Sequence, residues 1–285
     1  MKKSILVVVL AITALLAEAQ IQTPASSPSG SVTATVGLTE IKVDYSRPKT
    51  KGRTIFGSDA KALVPYGKLW RTGANSGTKI TFSDDVTVEG VAVPKGEYLI
   101  YSWPNASEWI ITLYKDVKLG GDISKYDKAQ EAANFKVKPA KLGDKVETFT
   151  VNIGDISDDN KSAKVQIAWD NTSVKFNVGV NFDEKVLKSI DAVIASGNAA
   201  PYDYFQAASY YFETGRDLKK ALEWVNKAAE GMNNPFWVTH QKAKIQKAAG
   251  DKAGAKATAT ASLEAAKAAN NRDYQAMNEE LIKSL

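Results

Sequence analysis

The sequence has no cysteine and a single histidine among 285 residues. Without cysteine there are no disulfides, no thiolate nucleophile and no lipid-bearing cysteine behind a leader. Stability must come from burial alone, which a chain of this length can supply. One histidine, His240, removes Cys–His catalysis and leaves a histidine-rich zinc site unsupported. A Ser–His–Asp triad would have to use His240, which falls in a helical segment, and no Gly-x-Ser-x-Gly turn accompanies it. Beyond Leu16 no apolar run approaches the roughly 18 residues of a membrane helix. Blocks of like charge are also missing. Lys and Arg outnumber Asp and Glu by 37 to 32, but they are scattered as on a solvated surface, unlike a nucleic-acid-binding stripe. Nothing in the pattern calls for a cofactor or a metal.

What is present begins with an address. Met1-Lys2-Lys3, the apolar run Ile5 to Leu16 and the small-x-small site Ala17-Glu18-Ala19 are the three parts of a secretory signal peptide. The expected chain therefore divides into a signal peptide over 1–19, a Pro/Ser-rich flexible leader over 20–30, and a mature protein that is periplasmic or secreted. Removing Lys2, Lys3 and Glu18 lowers the formal net charge from +5 to +4.

From 31 to 180 the hydrophobic period is two. Ile41, Val43 and Tyr45 share one face. The runs Lys79–Phe82, Tyr98–Trp103, Trp109–Tyr114, Phe135–Lys138, Val146–Ile153, Ala163–Trp169 and Val174–Val178 repeat the pattern. Glu89-Gly90, Pro94-Lys95-Gly96, Pro104-Asn105 and Asp170-Asn171 read as turns between them. Short alternating runs with turns at this spacing predict an antiparallel β-sandwich. Two stretches interrupt it: Ser46–Thr78, dense in Arg, Pro, Gly and Asn, and Val117–Asn134, with at most one short helix. From 181 to 285 the period becomes helical. About six helices are punctuated by Gly stops and Asp starts, as helix-capping chemistry requires. Gly215 and Asp217 recur as Gly250 and Asp251, Ala208 as Ala243, Ala221 as Ala255, and Val225 as Ala259. A period of 34 to 35 residues resembles tetratricopeptide repeats, though Ser209 and Lys244 stand where that pattern prefers glycine or alanine.

Most motif matches are weak. Asp155–Asn160 lacks the glycine and terminal glutamate of a calcium loop. Gly52–Ser58 has P-loop glycine spacing without the lysine. Ser76-Gly-Thr-Lys79 has the Ser-x-x-Lys spacing but precedes a strand. The first interruption is richer: Asp44, Tyr45, Arg47, Arg53, Trp70, Arg71 and Asn75 gather guanidinium, amide and aromatic groups suited to carboxylates, phosphates or sugars. The same residues could instead hold a long loop in order. A carboxylate hydrolase built on Asp44 or Asp85 is a third reading, which would need a carboxylate pair about 5–9 Å apart.

The strings Asp44-Tyr-Ser-Arg-Pro48, Lys51-Gly-Arg-x-Ile-Phe-Gly57, Leu63-Val-Pro-Tyr-Gly67 and Trp70-Arg-Thr-Gly-Ala-Asn75 resemble an exported family known as domain of unknown function two-nine-one-one. The likeness continues through Thr81–Val86, Pro94–Tyr98 and Val146–Phe149, and spans roughly Pro28 to Val180. It implies a β domain and export, and no particular activity. The resulting expectation is a non-enzymatic binding or scaffold protein of the cell envelope. It would engage a protein or peptide through its helical repeats, or a glycan or anionic polymer through the Arg/Trp/Asn loop. It would not be an integral membrane protein.

Overall fold

A computed structural model describes residues 23–285, so the expected signal peptide and the start of the expected leader lie outside the described residues. The chain divides between Phe182 and Asp183 into two compact units.

The first unit is an antiparallel β-sandwich. Its larger sheet runs β1 (Ser29–Val36), β2 (Thr39–Ser46), β5 (Thr78–Phe82), β8 (Gly96–Trp103), β9 (Trp109–Tyr114) and β10 (Glu131–Val137) in spatial order. The second sheet orders β11 (Ala140–Gly154), β12 (Ser162–Val180), β6 (Val86–Val88) and β7 (Val91–Val93). Alternation decides the packing: Ile41, Val43, Ile80, Ile100 and Ile111 of one sheet form a common core with Phe149, Val151, Val165, Ile167 and Phe176 of the other. The β1–β2 hairpin turns at Gly37, φ 57°, where a Cβ would stand 2.2 Å from the Phe182 ring.

Several boundaries differ from the alternation pattern, among them the start of β11 at Ala140, six residues before the alternating run at Val146. Ser29 and Gly30, expected in the leader, pair with Ser46 and Tyr45 in β1; small residues carry no hydrophobic signal, but their backbone completes the ladder. Asp170-Asn171, expected as a turn, lies within a single 19-residue strand. Asp170 takes φ 55° there, and the register shifts on either side of its partner Val146, so the site is a bulge that bends the strand without reversing it. β10 starts at Glu131, inside the second interruption, whose earlier part holds two single 3-10 turns, Ile123–Lys125 and Lys128–Gln130.

The first interruption contributes to the core. Lys49 bridges to Thr148 and Trp70 to Ser102, and Gly67 N–H donates to Pro104 O at 2.8 Å. Short parallel strands β3 (Phe56–Gly57) and β4 (Val64–Pro65) pair within it. Ile55, Val64 and Trp70 join the sandwich core. The loop is thus stitched to β11 and to β8.

The second unit contains six helices: α1 (Asp183–Ala195), α2 (Pro201–Glu213), α3 (Leu218–Gly231), α4 (Phe236–Ala248), α5 (Lys252–Ala268) and α6 (Arg272–Lys283). The repeat is visible in burial. Ala208 and Ala243, Ala221 and Ala255, and Val225 and Ala259 are all fully buried where paired helices meet. The starts repeat too. Asp217 Oδ1 accepts from the N–H of Lys219 at 2.9 Å, and Asp251 Oδ1 from that of Gly254 at 2.8 Å. His240 is buried in α4, with Nδ1 2.9 Å from Asn278 Oδ1. The Asn278 amide nitrogen donates to Ser262 Oγ and Tyr274 O. Its oxygen is therefore the acceptor, and Nδ1 carries the proton. His240 belongs to a structural polar network. Among the described residues no helix is long and apolar enough to cross a membrane.

Candidate functional site

The site is assembled by the backbone pairing of Trp70 with β8. Trp70 N–H donates to Ser102 O at 2.8 Å, and Trp70 O accepts from Ser102 N–H at 2.9 Å. That register sends its ring inward, where it stacks on Trp169 of β12 with centroids 6.0 Å apart and planes 14° apart. Phe56, Trp109 and Phe149 close around it at steep angles. Thr72 then takes φ 51°, an unusual conformation for a β-branched residue. Its hydroxyl meets Ser102 Oγ at 2.8 Å, and its carbonyl accepts the Thr78 hydroxyl. These bonds hold the strained turn and fix Arg71 beside the tryptophan pair.

The result is a cleft of about 330 Å³ whose lining includes Arg53, Trp70, Arg71, Gly73, Ile123 and Trp169. Its chemistry is one-sided. Two guanidinium groups line it, and no Asp, Glu or His does. Trp169 is only 2% exposed, yet its indole Nε1–H has no hydrogen-bond partner, and neither does the buried Nε of Arg71. A buried N–H left unpaired costs about 1–3 kcal/mol. The cleft offers donors and positive charge, with no general base or acid.

Of the seven residues singled out from the sequence, Arg53, Trp70 and Arg71 line this cleft. Arg53 is also tied to the loop backbone, through Nε to Thr50 O at 3.0 Å and Nη2 to Lys49 O at 2.7 Å. Trp70 is a floor residue, 9% exposed, with its faces given to the core. The other four are not among the lining residues. Tyr45 is buried against Phe149 and its hydroxyl donates to Val151 O at 3.3 Å. Asp44 occupies the opposite face of β2 from Tyr45 and pairs with Lys42 at 2.9 Å. Burial works against ionisation of Asp44, but hydrogen bonds from Lys42 and Ser31 and the charge of Lys79 outweigh it and hold the carboxyl below its ordinary value. Arg47 lies over Gly30 with its Nε buried and unpaired. Asn75, at φ 54°, donates to Ser46 Oγ at 3.1 Å and Ser27 O at 3.3 Å. Among the described residues no ion pair joins Arg47, Arg53 or Arg71 to a carboxylate.

The remaining motifs have structural places. Asp85 Oδ1 accepts the Lys95 N–H at 2.8 Å and so braces the turn at Pro94. Lys79 pairs with Glu97 at 3.0 Å across the sheet. Asp155 pairs with Lys175 at 2.7 Å, and Asp159 accepts the Lys161 N–H within a hairpin turn. Among the described residues no group of three or more His, Cys, Asp or Glu could hold a metal ion. Sequence reading missed Trp169. It closes a plain alternating run, and only the indole N–H, which a fully apolar core cannot satisfy, marks it out.

No curated protein and no solved structure matches the chain. A family model matches residues 27–178, more than half the chain, across both sheets and the cleft, and on that match the chain belongs to the family described as protein of unknown function (DUF2911).

Proposed function

We propose that the protein is an exported, non-enzymatic binding protein whose β domain takes an anionic group, a carboxylate, in the cleft between Arg71 and the Trp70–Trp169 stack. The observation that carries this reading is the buried, unpartnered Trp169 N–H in a lining that has arginines and no acid. Buried polar groups are nearly always satisfied, and a carboxylate would accept from both the indole and a guanidinium. The absence of a carboxylate from the lining favours binding over carboxylate-based hydrolysis there. Export rests on the Lys2-Lys3, Ile5–Leu16, Ala17-x-Ala19 pattern.

The test is calorimetric titration with glucuronate and with acetate. Trp169→Phe keeps an aromatic ring in the stack but removes the donor together with the five-membered ring that carries it; Arg71→Gln removes a charge at the cleft and leaves the stack intact. A hydrogen bond to a charged group is worth about 1.5–3 kcal/mol, so each variant should weaken binding roughly 10- to 100-fold with an unchanged fold. Unchanged affinity in Trp169→Phe, or no binding by the parent protein, would refute the reading.

A second reading places a protein or peptide partner on the helical repeats. It is favoured by exposed aromatics: Tyr202, 54% exposed and stacked on Phe205, and Trp237, 38% exposed. Tyr202→Ala and Trp237→Ala should then reduce capture of one identified envelope protein. Capture that is indifferent to both would contradict it.

A further inference from the structure

A second, larger groove of about 530 Å³ lies in the β domain, lined by a different set of residues from the arginine cleft. The half-buried Trp103 at the end of β8 lines it, together with Asn105, Glu108, Lys128, Glu131 and Asn134. The exposed Gly67 of the first loop also belongs to its lining. The volume is that of a small-ligand site, about 300–1,000 Å³.

Its hydrogen-bonding character is the reverse of the first cleft. Glu131 accepts the Tyr126 hydroxyl at 2.6 Å on Oε1 and the Asn134 amide at 3.1 Å on Oε2. The same amide nitrogen donates to Thr112 Oγ1 at 2.9 Å. Both Asn134 amide hydrogens are thereby used, and its carbonyl oxygen remains as an acceptor. Glu131 and Asn134 thus present acceptors held in fixed orientations, and Glu108 adds another acceptor to the lining. Tyr126 braces both sides of the groove, since it also meets Trp103 in a T-shaped contact at 5.4 Å.

Charge discriminates between the ligands such a groove could take. Glu108 is neutralised by Lys136 at 2.8 Å, and Lys128 lines the groove with Glu131. Counting Lys136, which pairs with Glu108 from outside the lining, two carboxylates are balanced by two ammonium groups, so no net charge draws in an anion or a cation. A neutral ligand with hydroxyl donors and a face of C–H groups matches an aromatic ring flanked by acceptors.

We propose that this groove binds a neutral carbohydrate, with a sugar ring packed on Trp103 and its hydroxyls donating to Glu131, Glu108 and the Asn134 amide oxygen. The site is separate from the anion cleft and does not depend on it. Its test is saturation-transfer NMR and titration of the full chain with cellotriose and chitotriose. One of them should bind, shift the Trp103 indole signal and leave the Trp169 signal in place. Trp103→Ala should lower that affinity at least tenfold. Asn134→Ala, at an exposed position of β10, should lower it several-fold without loss of fold. Glucuronate binding at the cleft should survive both variants. The proposal fails if neither trisaccharide moves Trp103, if Asn134→Ala binds as the parent does, or if choline binds the groove and the sugars do not.

Discussion

At the scale of single residues, the site was only partly legible. Arg71 and Trp70 stand out in a sequence because charge and aromatic rings are concentrated in one irregular stretch. Trp169 does not, because an inward tryptophan on an alternating strand looks like any core residue until its N–H is found without an acceptor. Tyr45 misled for the converse reason: it neighbours Arg47 in the chain, but strand alternation turns it into the core. Glu147 shows what holds the loop. The Thr50 hydroxyl and the Lys51 N–H both donate to its carboxylate, and these bonds, helped by Lys145, push its pKa down to about 2. A depressed carboxylate contributes stability above its ordinary value, and this is lost as pH falls from about 4.5 towards 2. Glu147→Gln should therefore flatten that part of the acid-unfolding profile, measured by tryptophan fluorescence. Thr72 sets a second expectation. Thr72→Val removes the bond to Ser102 while keeping the strained φ, and should lower stability by about 1–3 kcal/mol in urea denaturation.

At the scale of elements, alternation located β1, β2, β5, β8 and β9 to within a residue or two, and capping chemistry anticipated the six helices of the second unit. They failed where backbone pairing acts without side-chain signal, as at Ser29-Gly30, and where an Asp in a left-handed conformation bends a strand without ending it, as at Asp170. The packing of the two loops was also hidden. A Cβ on Gly121 would stand 2.2 Å from the Asn75 carbonyl oxygen and 3.2 Å from Arg71 Cδ. Gly121→Ala should displace one loop from the other, lower the melting temperature and weaken carboxylate binding together. In the helices, Asp217→Ala and Asp251→Ala should each cost about 1 kcal/mol, because each removes an N-terminal cap. Burial holds His240 below its ordinary value and Lys244 adds to the effect, while the bond to Asn278 opposes it. A histidine kept neutral in the fold contributes stability above about pH 6.5, and this is lost as pH falls below that value. Helical ellipticity should accordingly melt at lower temperature at pH 5 than at pH 7.5, and His240→Gln should show a smaller difference.

At the scale of the whole molecule, each unit has its own hydrophobic core, one built across two sheets and one between paired helices. Each should therefore fold when expressed alone. Residues 23–182 should give a cooperative thermal transition with strong near-ultraviolet signal, and residues 183–285 a helical far-ultraviolet spectrum; a fragment that stays unfolded would contradict this. Mass spectrometry of the protein recovered from the envelope or medium should find Gln20 at the amino terminus if the expected signal peptide is cleaved after Ala19. The central claim concerns the cleft, and the six tryptophans of the chain provide an internal comparison. Titration of the nitrogen-15-labelled protein with glucuronate should move the Trp169 indole N–H downfield, with a smaller change at Trp70 and none at Trp103, Trp224 or Trp237. A Trp169 resonance that stays in place at saturating ligand would contradict the account.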